Sequence, residues 1–159
     1  MADLQLHTLL ICDYALTAQD GKLGALGVFS QINVARLPAV HGRCFVVAIL
    51  EADPGRYELT LQLTSPSGVP LLPRPPKFNI EVPPNATTAN IVADLQGLEI
   101  KEIGRHRFEL REGDRLLGTS PFTVNLVFRS QQLVDDVSRF GLLSCFGTHL
   151  RTPISRVAF

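Results

Sequence analysis

His7, Cys12, Asp13, His41 and Cys44 form the best polar constellation in the chain, of types that could do chemistry. Imidazole and thiolate are good zinc ligands, and four of them would suffice for a closed site. They would gather only if the strand bearing Cys12 and the strand bearing Cys44 were neighbours. The spacing matches no compact ligand pair, and both Cys lie inside apolar runs, LLICDY and RCFVVA. In such runs Cys behaves as a small hydrophobe. The expectation is therefore no metal and no cofactor.

Asp13 follows the apolar run LLIC. A carboxylate inside a buried strand is costly unless it is paired or well hydrogen-bonded. Lys22 lies across a predicted hairpin, so an Asp13–Lys22 pair is expected, or else Asp13 capping turn amides. The chemical alternative makes Asp13 a ligand anchor. Asp13, Lys22 and His41 form the candidate ligand-binding set, near one end of the fold. No catalytic residue is assigned, because no Gly-x-Ser-x-Gly elbow, Gly-rich phosphate loop, CxxC or HExxH occurs. Scattered triads leave catalysis open, yet the reading leans away from an enzyme. His106 is expected in the core, satisfied by a backbone carbonyl. Arg105, Arg107, Arg111 and Arg115 interleave with Glu102, Glu109, Glu112 and Asp114, which reads as a mixed solvated surface.

These residues need elements to position them. The 159 residues suit one domain able to bury a real core. Lys plus Arg and Asp plus Glu are 15 each. Composition thus gives no push toward nucleic acid or an anionic membrane surface. Three Cys (Cys12, Cys44, Cys145) in apolar contexts read as thiols of a reducing compartment. No basic, cleavable leader opens the chain and no apolar run approaches a bilayer span, so a cytoplasmic, non-membrane protein is expected.

Period-two alternation dominates. Tyr57, Leu59, Leu61 and Leu63 alternate with Glu58, Thr60 and Gln62. Phe78, Ile80 and Val82 repeat the pattern, as do His106, Phe108 and Leu110, and then Phe122, Val124, Leu126 and Phe128. Each predicts a strand with one dry and one wet face. Leu9–Cys12 and Phe45–Leu50 are apolar on both faces and predict central strands. Leu26, Val28, Ile32 and Val34 predict one further strand, with Gly24 and Gly27 permitting a bulge. Another falls within Ala89–Leu95. Asp20-Gly21 and Gly113-Asp114 mark tight hairpins. The Pro-rich Val69–Pro76 predicts an extended crossing between sheets, and the echo between Gly55-Arg56-Tyr57-Glu58-Leu59 and Gly104–Leu110 predicts two equivalent sheet edges. The fold expected is all-β: an immunoglobulin-like, two-sheet antiparallel sandwich over residues 1–129 with eight or nine strands. Residues 130–159 are expected as a C-terminal extension, a short helix bearing Leu133, Val137 and Phe140 and then a loosely ordered tail.

Cys12, Asp13 and Ala15, then Gly21-Lys22-Leu23, Gly27-Val28-Phe29 and Pro38, resemble a bacterial family of uncharacterised small β-sandwich proteins, a domain of unknown function. The resemblance covers roughly residues 5–128. It implies the sandwich fold and no stated activity. The function expected is a non-enzymatic binding or assembly module. It would act through loops (Asp53–Arg56, Pro66–Lys77, Glu112–Arg115) or an exposed strand edge, on a protein partner or a second copy. The alternative is a small-ligand-binding protein or enzyme with a pocket near Asp13 and His41.

Overall fold

The computed structural model describes residues 3–127. The expected extension at 130–159 lies outside them. Among the described residues, nine strands form two sheets. They are β1 (Leu4–Thr17), β2 (Leu23–Val28), β3 (Gln31–Val34), β4 (Ala39–Ala52), β5 (Gly55–Thr64), β6 (Lys77–Val82), β7 (Thr88–Ile100), β8 (Gly104–Glu112) and β9 (Arg115–Leu126). One sheet has the order β2-β1-β4-β7, the other β3-β9-β8-β5-β6. This is the all-β immunoglobulin-like sandwich that alternation predicts. Among the described residues no helix is long and apolar enough to cross a membrane.

The interior forms where the dry faces meet. Cys44, Val46, Ala48 and Leu50 of β4 and Ile91, Ala93 and Leu95 of β7 face Tyr57, Leu59, Leu61 and Leu63 of β5. Phe108 and Leu110 of β8 and Phe122 and Val124 of β9 join them in one cluster. Phe122 stacks on Phe108 at 5.6 Å and on His106 at 5.3 Å. His106 Nδ1 lies 3.2 Å from the Gly104 carbonyl, as expected for a core histidine, while its Nε2 is buried without a partner among the described residues.

Pairing departs from the expectation in four places. The segment Leu26–Val34 is not one strand: the chain leaves β2 in the first sheet, turns at Phe29–Ser30, and enters β3 in the second. There β3 runs parallel to β9, Gln31 opposite Thr123, so the sandwich is not wholly antiparallel. The Pro-rich segment joins β5 to β6 within one sheet and does not cross between sheets. The echoing strands β5 and β8 are adjacent inner strands, Leu61 opposite Leu110, and not edges. Alternation specifies which face of a strand is dry, but it carries no information on which strand lies beside it.

Candidate functional site

Along β1 the inward residues run Leu9, Ile11, Asp13. Leu9 and Ile11 pack in the core. Asp13 lies one step beyond its end and is exposed, so the expected burial is corrected. The Asp13–Lys22 pair is corrected too. Lys22 Nζ lies 2.8 Å from Asp20 within the turn, both exposed, and its backbone N–H donates to Asp20 Oδ1. A carboxylate two residues away reaches the ammonium with less chain ordering than one across the hairpin. Among the described residues, Asp13 has no hydrogen-bond or salt-bridge partner.

Asp13 instead packs on Gly27. A Cβ at that position would stand 2.5 Å from Asp13 Oδ2, and the Gly27 φ is +66°. Only glycine adopts that conformation without strain. Gly27→Ala is therefore expected to cost about 1–2 kcal/mol, while Gly24→Ala, with ordinary contacts and an ordinary φ, costs less. Chemical denaturation of both variants checks the difference.

His41 opens β4 opposite Leu98 of β7. Leu98 belongs to the core, so His41 faces inward at the same end of the sheet. Its ring lies 5.7 Å from that of Phe29, and its Nε2 is buried without a partner among the described residues. Asp13, His41, Phe29, Gln31, Ile32 and Asn33 line one groove of about 300 Å³. Asp13 and His41 are thus brought together, and Lys22 stays in its turn. The Asn33 side-chain carbonyl accepts from Asn125 Nδ2 at 3.4 Å. A larger hollow, about 440 Å³, opens among Arg56, Glu58, Asn79 and Glu81. Its charges are already committed, Arg56 to Glu81 and Glu58 to Lys77, so it offers less for a ligand to satisfy.

The other chemical candidates disperse. His7 pairs with Glu51 at 2.7 Å, toward the opposite end of β1. Cys12 and Cys44 are free, buried thiols in separate apolar clusters. Burial pushes the Cys44 thiol up to about 11, and burial likewise raises Cys12. Neither is poised as a nucleophile at neutral pH. Among the described residues no three His, Cys, Asp or Glu side chains cluster to hold a metal ion.

The mixed solvated surface expected around Glu109 is corrected, and one apolar feature went unread in the sequence. Glu109 is buried, 6% exposed, with Arg107 Nε donating to one oxygen at 2.8 Å and Arg111 Nη2 to the other at 2.9 Å. The Arg107 hydrogen bond, with help from Arg111, holds its carboxyl below the usual range. The alternating Arg-x-Glu-x-Arg run was the available signal, since residues two apart share a strand face. The unread feature is the apolar one. Tyr14 (49% exposed), Leu16 (43%), Leu26 (64%) and Val28 (61%) crowd the β1–β2 ribbon. Tyr14 is opposite Leu26, and the register puts all four on the sheet's outer face.

Residues 7–125, from within β1 to within β9, match a family of unknown function, DUF6941. The chain belongs to that family. For this DUF6941 protein no curated protein gives a match. Among solved structures it is similar to the Pseudomonas fluorescens alkylpurine DNA glycosylase AlkC bound to DNA containing an abasic site analog, at 13% identity and a TM-score of 0.50. That likeness covers 79% of this chain and 31% of that one. It is also similar to a β-glucosidase from Listeria innocua (10% identity, TM-score 0.45, 80% and 16% covered). An immunoglobulin-like protein from Pseudomonas aeruginosa gives 18% identity, a TM-score of 0.38, and 77% and 97% covered. The DUF6941 chain spans under a third of the glycosylase and about a sixth of the glucosidase. At such identities the likeness is one of fold alone.

Proposed function

We propose that this DUF6941 domain is a non-enzymatic assembly module that pairs with a second copy of itself along the edge of β2, where no other strand of the described residues is bonded. The observation that carries the reading is the exposed apolar surface of the β1–β2 ribbon, with Leu26 and Val28 on the edge strand itself. Sheet edges are normally guarded by charge, proline or shortness. β6 carries Lys77 and Glu81 and is flanked by Pro76 and Pro83. β7 carries Asp94 and Glu99. β3 has only four residues. β2, reading LGALGV, has neither charge nor proline. Paired antiparallel about a two-fold axis, it meets no like charge and doubles the apolar surface.

Light scattering across about 1–100 µM tests this. A mass twice the 17.4 kDa of the chain is expected at the upper end. Leu26→Lys with Val28→Lys should give a monomer with its melting temperature almost unchanged, because both side chains are exposed. A wild-type protein that stays monomeric throughout, or a dimer indifferent to the double substitution, would sink the proposal.

A further inference from the structure

We propose that the groove between Asp13 and His41 is a subsite for a basic side chain, lysine or arginine, presented by a protein partner. It lies on the inward side of the sheet end, whereas the apolar surface of β2 faces outward, so the two readings stand or fall separately.

The first support is an uncommitted charge. Asp13 has no partner among the described residues, while Lys22, beside the same sheet, and Arg43 of β4 are engaged. Lys22 is bonded to Asp20, and Arg43 to Asp94 at 2.7 Å. Asp13 is the one carboxylate among the described residues that line the groove, with the His41 imidazole across from it. The second is the rest of the lining. Phe29 supplies an aromatic ring of the kind that attracts cations, and the Gln31 and Asn33 side-chain carbonyls can accept N–H bonds. Ile32 is a buried apolar floor suited to an aliphatic stem. The third is size: about 300 Å³ admits the end of a long side chain. A neutral polyol is the weaker fit. It would strip water from the carboxylate without neutralising it.

The test is amide NMR on the full chain, titrated with N-acetyl-arginine methylamide, N-acetyl-lysine methylamide and methyl glucoside. Saturable shifts centred on Gly27, Phe29, Gln31 and Asn33 are expected with both basic probes and not with the glucoside. Asp13→Asn should weaken them about fivefold or more, a loss on the scale of one ion pair, with melting temperature retained. Phe29→Leu should weaken them further while keeping an apolar side chain in place. Absence of saturable shifts with either basic probe, or shifts that Asp13→Asn leaves intact, would overturn the subsite. Saturation by the glucoside would reassign the groove to neutral polyols.

Discussion

Phe108→Ala should lower unfolding free energy by about 4 kcal/mol and the melting temperature by more than about 10 °C. Phe108 is fully buried at the centre of the five-stranded sheet's dry face, stacked on Phe122 and flanked along β8 by His106 and Leu110. Truncation there removes the ring's transfer free energy and leaves a cavity that two opposed sheets cannot collapse to fill. Phe108→Leu, which retains most of the volume, should cost less than half as much. Equal losses for the two variants in a denaturant series would show that the position is not tightly packed.

Glu109→Ala should cost about 2–3 kcal/mol at neutral pH, since four hydrogen bonds to the carboxylate vanish together, three from Arg107 and Arg111 and one from the Thr64 hydroxyl. The figure stays below that for a fully buried pair because the side chains of Arg107 and Arg111 are partly exposed and regain water. The sign with pH follows from linkage. The Glu109 carboxyl titrates lower folded than unfolded. Its contribution is thus complete above the unfolded value, about 4.3, and is lost as pH falls through the lower folded value. The melting-temperature gap between wild type and Glu109→Gln should be flat from about pH 6 to 8 and close toward about pH 3. A gap that persists unchanged in acid would mean that Glu109 contributes through packing alone.

Much of this fold is legible because burial on one face writes itself into period two. The stripes Tyr57–Leu63 and His106–Leu110 occupy the interior as read, and His106 finds its carbonyl. What escapes is information carried by residues far apart. The break at Phe29–Ser30 exists because β3 pairs with β9, some ninety residues on, and nothing local to Leu26–Val34 records that. Glu109 falls at a wet position of its strand. It is buried because Arg107 and Arg111 fold over it, an arrangement that alternation assigns to solvent. Asp13 and His41 were legible as a pair at one end of the sandwich. Exposure of Asp13 was not, because the apolar run before it says nothing of where the second sheet stops covering the first. The unguarded character of β2 follows from its uncharged composition, but its place at an edge required the topology.

The parallel union of β3 with β9 sets the order in which a growing chain can complete itself. All four strands of the sheet β2-β1-β4-β7 have been synthesised once Ile100 is made. The other sheet must wait for β9, since β3 cannot bond across to a strand that does not yet exist. Until Thr123 to Leu126 emerge, Ile32 and Val34 have no ladder, and the oily side of the finished sheet stands open to whatever is nearby. A nascent chain that ends after β7 thus carries one whole sheet with a bare apolar side, and β9, the final strand of the described residues, is what lets the second sheet close over it.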